Sequence, residues 1–230
     1  MTDSPAPLVR FEAWVELVGD SPTSRTEWAA IMDAWSQPHR RYHDLAHLAA
    51  VLGVVAQLDR TAPDPAAVRL AAWYHDVVYD PTRGDNEQVS AERARAGLRG
   101  LVPDERIAEV ERLVRLTAGH DPDPEDANGA VLCDADLAVL AGPPEAYIAY
   151  ASAVREEYGH VSDDDFTRGR IAFLESLLAL PALYRTPEAA RQWTEPARAN
   201  LTAELTLLRR RVAPVAGGSS SGADLPPSAG

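Results

Sequence analysis

Apolar side chains recur at helical spacing along nearly the whole chain, and no stretch sustains the alternation of a half-buried strand. That pattern restricts the fold to an all-α class. Leu8, Phe11, Trp14, Val15 and Val18 mark a first helix, and Trp28, Ile31, Met32 and Trp35 line one face of a second over residues 26–35. Asp44 opens a third that runs to Leu58. Asp64-Pro65 has the form of an N-cap followed by proline at the first helical position, which opens a fourth running to about Val78. Further helices are predicted over 86–99 behind Asp85, 103–117, 130–140, from Pro143 to the Tyr158-Gly159 region, from Ser162 to Pro181, and over 187–210. The expectation is one helical bundle of nine or ten helices spanning 1–211. The Gly-, Ser- and Pro-rich stretch 212–230 reads as a disordered tail.

Charge narrows the partners. Asp and Glu number 35 against 22 basic residues, a formal net charge of −13, and every basic residue is arginine. Such a surface disfavours broad binding to nucleic acid or an anionic membrane, though a small anionic substrate needs only a local cationic cluster. Cys133 is the only cysteine, so no intrachain disulfide forms, and its apolar setting reads as a small buried hydrophobe. No apolar run approaches the roughly 20 residues of a membrane span, and the N-terminus lacks a signal-peptide pattern. The expected protein is soluble and cytoplasmic.

Against this background one stretch is out of place. AAWYHDVVYD, residues 71–80, sets His75 and Asp76 side by side within an apolar, aromatic run. Burying both is costly unless something satisfies them, and a divalent cation does so, because imidazole nitrogen and carboxylate oxygen are both ligands for it. Other ligand types occur elsewhere. His43 and His47 stand four apart, so both share a face if both are helical. If Asp44 is the N-cap, the helix fixes only His47. Asp134 and Asp136 lie in VLCDADLAVL, two apart and so pointing to nearly opposite sides; one of them faces a cation and the other caps a helix or orients a ligand. His120 follows a helix end. Asp85, Asn86 and Glu87 open a helix shortly after His75-Asp76.

A histidine, a later His-Asp pair and a still later Asp in an all-α chain resemble the HD-domain superfamily of metal-dependent phosphohydrolases. The finer pattern is similar to one bacterial branch, the "predicted metal-dependent HD phosphohydrolases". RRYHDLAH, AAWYHDVVYDP, DNEQVSA, LTAGH, DADLAVL and REEYGHV follow in that order, across about residues 28–208. The resemblance implies an HD-like bundle and assigns the metal to His47, His75, Asp76 and Asp136. It prefers Asp136 to Asp134 through the local Ala-Asp-x-Leu context.

Mixed nitrogen and oxygen ligation suits Mn²⁺, Fe²⁺, Co²⁺, Ni²⁺ or Zn²⁺, with Mg²⁺ also admissible. The implied reaction is hydrolysis of a phosphoester, of a nucleotide or another small phosphomonoester, by a metal-activated water. Asp76 is expected to hold that water, Glu87 to position it or act as acid or base, and His120 to contact the phosphate or the leaving oxygen. Arg41 is expected to clamp phosphate, with Tyr42 and His43 lining the substrate pocket. Arg168 and Arg170 are weaker candidates, expected to pair with Glu156, Glu157 and residues 163–165. Trp73, Tyr74 and Tyr79 are expected in the core. Two rivals stand: a di-iron oxygenase on the same ligand frame, with His120 approaching a second ion, and a non-catalytic nucleotide-binding or scaffold module.

Overall fold

A computed structural model describes residues 7–212 of the 230. Among them are ten α-helices, three short 3-10 turns and no strand. The fold is built round α4 (Pro65–Tyr74), whose residues from Ala67 to Tyr74 are all buried except Arg69. Such a helix, apolar nearly all round, is stable only when covered on every side. It is covered by α3 (Leu45–Leu58), α5 (Asn86–Leu98), α6 (Asp104–Leu116) and α7 (Ala127–Asp136). Its last turn also meets α1 (Phe11–Val18) and α2 (Pro22–Trp35). Trp14 stands edge-on to Trp73 and Tyr74, and Trp35 donates its indole N–H to the Trp73 carbonyl oxygen at 3.0 Å. The remaining helices are α8 (Pro144–Glu157), α9 (Asp163–Ala179) and α10 (Pro187–Val212). α9 and α10 pack together, and α10 lies against the 3-10 turn Leu137–Ala141 that continues α7. One contiguous core runs through all of these layers.

The local starts follow the sequence. Asp44 accepts from the N–H groups of Ala46 and His47, and Asp64 from that of Ala67, so both helices begin where their caps predict. Ser162 likewise caps α9 through the N–H of Asp165. Several ends differ. α2 begins four residues before 26, because Ser21 and Ser24 form a reciprocal capping box. Asp85 occupies the cap position of α5 but makes no cap bond; its carboxylate pairs with Arg83. α7 begins at Ala127, capped by Asp126 onto Gly129, and tightens into the 3-10 turn just after Asp136. α4 stops at Tyr74 and not near Val78, so His75 and Asp76 lie at its C-terminal end, not inside it. Val212 is the last residue of α10, and the rest of the expected tail lies outside the described residues. No helix among the described residues is long and apolar enough to cross a membrane.

Asp134 is the buried acid that holds α10 to α7. Its two oxygens accept from the backbone N–H groups of Arg185 and Thr186, at 2.8 and 2.7 Å. Burial raises its carboxyl, against the pull of those same bonds. Asp134→Ala would leave two inward-facing donors without partners, a loss of about 2–4 kcal/mol of stability, to be read by denaturant unfolding. Asp136→Asn should leave this tie intact.

Candidate metal centre

Three segments far apart in sequence deliver nitrogen and oxygen ligands to one point. His47 sits in the first turn of α3, which Asp44 fixes. His75 and Asp76 follow the end of α4, and Asp136 is the last residue of α7. The two imidazole Nε2 atoms are 3.1 Å apart. Asp136 Oδ1 lies 3.1 Å from His47 Nε2 and 3.7 Å from His75 Nε2. Asp76 Oδ2 lies 3.3 Å from His75 Nε2 and 3.9 Å from His47 Nε2. His47, His75 and Asp136 offer ligand atoms all within 4.8 Å of one another. His75 is wholly buried and His47 nearly so.

The protonation pattern suits a cation. His75 donates from Nδ1 to the Ala72 carbonyl oxygen at 2.8 Å, which orients the ring and turns Nε2 towards the cluster. Burial lowers the pKa of His47 and keeps it neutral, against the opposing pull of Asp136. Burial alone would raise the Asp136 carboxyl. The His75 imidazole and the hydrogen bonds of His120 and His47 hold it well below the usual carboxylate range. Neutral imidazole and ionised carboxylate are the states a metal binds. His47, His75 and Asp136, with Asp76 beside them, form a mixed nitrogen and oxygen donor set that fits the divalent metal the sequence implied. Of the two acids of α7, Asp136 faces the cluster while Asp134 binds the backbone just ahead of α10.

His120 joins from the opposite side. It ends the turn after α6 with a positive φ of 49°, a left-handed conformation that histidine, like asparagine and aspartate, adopts more readily than most residues. From there its Nε2 meets Asp136 Oδ2 at 2.8 Å. Asp136 thus turns one oxygen to His47 and His75 and the other to His120.

Behind the cluster lies a charged network centred on two residues that sequence reasoning missed. Glu157, at the end of α8, accepts at Oε1 from the N–H groups of Arg41, Tyr42 and His43, at 2.8, 2.9 and 3.0 Å. Its Oε2 takes His43 Nδ1 at 2.7 Å and the Tyr79 hydroxyl at 2.8 Å. Burial works to raise the Glu157 carboxyl, but these donors prevail and hold it at about 2. His43, conversely, is pulled down by burial and raised overall by Glu157 and the nearby Asp76 and Asp136. Arg40, buried, donates to the carbonyl oxygens of His43, Asp76 and Val77. It thereby ties the His75-Asp76 corner to the approach to α3. The phase of α8 carried a signal for Glu157, since Tyr147 and Val154 are buried and Glu157 falls three residues further on the same face. Arg40 had none beyond its place beside Arg41.

Other expected residues stand further off. Arg41 is exposed at the rim, bonded to the Pro38 carbonyl oxygen and 3.6 Å from Glu156. Tyr42 packs its ring 4.7 Å from those of His47 and Tyr150, inside a cleft that opens from the cluster. Glu87 makes no hydrogen bond or ion pair with the cluster. The buried face of α5 is Asn86, Ser90 and Ala94, and Glu87 lies about 100° round from it. Its charge is felt by Tyr158, which also senses Asp76, so it borders the site without touching it. Asn86 and Ser90 instead brace Asp80 and Val78. Arg168 pairs with Asp165 as expected, but Arg170 turns to Glu204 and Tyr150. Trp73, Tyr74 and Tyr79 are in the core.

No family model, curated protein or solved structure matches the chain.

Glu157→Ala would leave His43 and four other donor or ring contacts without their acceptor, a loss of about 3–5 kcal/mol. The pH dependence has two signs. Glu157 has a depressed pKa, so its stabilisation is present above the ordinary carboxyl value of 4.5 and is lost as pH falls towards about 2. His43 has a raised pKa, so its share is present below 6.5 and is lost as pH rises above that value. Thermal melts across pH should show both limbs in the wild type, and both should shrink in Glu157→Gln.

Proposed function

We propose that this chain is a metal-dependent phosphohydrolase, carrying a divalent transition ion (Mg²⁺ also admissible) on His47, His75 and Asp136 with Asp76 beside it. The observation that carries the reading is the meeting of these four residues, from three separate segments, with both imidazole Nε2 atoms 3.1–3.9 Å from the two carboxylates. The resemblance of the ordered motifs to HD phosphohydrolases points the same way. An ion so held supplies a Lewis acid that polarises a phosphoryl oxygen and acidifies a bound water.

The chain's own groups have distinct tasks in this reading. Asp76, whose side chain keeps 14% of its exposure, accepts a hydrogen bond from the attacking water and orients it. His120 fixes the rotation of Asp136 by donating to Oδ2. His43 spends Nδ1 on Glu157, which leaves Nε2 to donate to the departing oxygen. Arg41 at the rim meets the phosphate. Glu87 has no contact that gives it a part in proton transfer. A second reading draws on Asp136 alone. One oxygen faces His47 and His75 and the other His120, the geometry of a carboxylate between two ions. Two irons would fit the oxygenase alternative.

Elemental analysis of protein purified without chelator, run beside phosphate release from a panel of phosphomonoesters, tests both. The expected result is about one transition ion per chain with metal-dependent phosphate release. His75→Ala and Asp136→Asn should lose metal and at least about 100-fold in activity, the loss typical of a disrupted metal site, while keeping their helical circular dichroism. Asp134→Asn should keep its metal. Full activity in His75→Ala would overturn the assignment, and two irons without phosphate release would favour the oxygenase.

A further inference from the structure

The metal cluster opens into a cleft of about 580 Å³ between α3 and α8, floored by His47 and Asp136. That volume is within the range of small-molecule sites. Its walls are apolar and small. α3 presents Ala46, Ala50 and Val54, and α8 presents Ala146, Ala149 and Ala153. On α3 the spacing is i, i+4, i+8, so the wall runs about 12 Å along the helix. Alanine on both facing helices leaves room that larger side chains would fill. Tyr42 and Tyr150 stand edge to face, 4.7 Å apart, and add an aromatic flank beside the ligands.

The polar groups of this cleft are few and mostly engaged. Asp44 spends its carboxylate on the cap of α3, and the Tyr150 hydroxyl accepts from Arg170. Tyr42's hydroxyl makes no hydrogen bond to another described residue. Arg41 is the only cation of the lining, and no Asn, Gln, Ser or Thr belongs to it. A nucleobase entering here would give up its hydrogen bonds to water and find almost no replacements, a net cost. An alkyl or aryl group would gain from every methylene it buries.

From this we infer that the cleft holds an apolar organic group, a medium-length alkyl chain or a single aromatic ring, whose phosphate end lies at the metal cluster. The preferred substrate is an alkyl or aryl phosphomonoester and not a nucleotide. The phosphate end rests on the phosphohydrolase reading; the apolar end rests on the cleft alone.

Two series of probes separate these halves. Methyl, butyl and octyl phosphonates and the phosphonate analogue of AMP are titrated calorimetrically into Mn²⁺-loaded full-length protein. Butanol to octanol are titrated into protein without added metal and followed by alanine methyl NMR. Affinity should rise with chain length in both series, by up to about fourfold per methylene, and octyl phosphonate should outbind the AMP analogue. Ala149→Trp and Ala50→Trp, both at exposed positions that tolerate bulk, should flatten the chain-length dependence. Binding that does not depend on chain length, or a preference for the AMP analogue, would overturn the inference. Alkanols that bind with the expected trend, beside phosphonates that bind no tighter than the alkanols, would uphold the apolar cleft and overturn the phosphohydrolase reading instead.

Discussion

The carboxylate of Glu157 is buried at the end of α8 and accepts five hydrogen bonds, three of them from consecutive backbone N–H groups. A lone carboxylate in such a place would be costly, and these donors are what make it tolerable. In return the acid dictates the path of residues 41–43 just before α3, and so the direction from which His47 enters. Through Tyr79 it also holds the segment that leaves His75-Asp76. Arg40 completes the frame by binding the carbonyl oxygens of Asp76 and Val77. The residues that could hold a metal are therefore held by a second layer of charged groups that are themselves fully engaged, the arrangement expected where ligand geometry must persist.

The fold serves this arrangement. α4 is buried on all sides, so its end is a fixed point, and His75 is placed there with its Nδ1 tied to the turn below. α7 ends at Asp136 because the chain tightens into a 3-10 turn, while Asp134, two residues earlier, faces away and anchors α10. Two acids on one short helix thus divide between structure and site. α8 contributes differently at its two ends. Glu157 organises the polar side, and Ala146, Ala149 and Ala153 form one wall of an apolar cleft that meets the same ligands. A polar reacting end and an apolar binding end are what a phosphate ester of a hydrophobic alcohol would need.

Much of the fold was legible because its rules are local. Asp44 and Asp64-Pro65 begin helices through bonds to their own N–H groups, so the starts of α3 and α4 could be read directly. Ends set by distant residues could not. α4 stops short of Val78, whose N–H turns to Ser90 Oγ on another helix, a contact that no periodicity reveals. The same division runs through the site. His47, His75, Asp76 and Asp136 follow from the resemblance, which also prefers Asp136 to Asp134 by local context, but the physical tie that turns Asp134 away, to Arg185 and Thr186 about fifty residues on, is not legible in the sequence. Glu87 was read as functional from its position near the His-Asp pair, yet α5 turns Asn86 and Ser90 inward instead. Glu157 is expected from sequence to pair with Arg168 or Arg170, which turn to Asp165 and Glu204 instead, although the phase of α8 marks it as buried.

Anomalous diffraction from crystals grown with Mn²⁺ or Zn²⁺ is the most direct test of the central claim, since it locates the ion independently of any turnover. The expected result is a peak among His47 Nε2, His75 Nε2 and Asp136 Oδ1, at about 2.0–2.2 Å from each for zinc, with Asp76 turned towards it. A metal peak elsewhere on the molecule, with the four residues left bonded to one another, would contradict it.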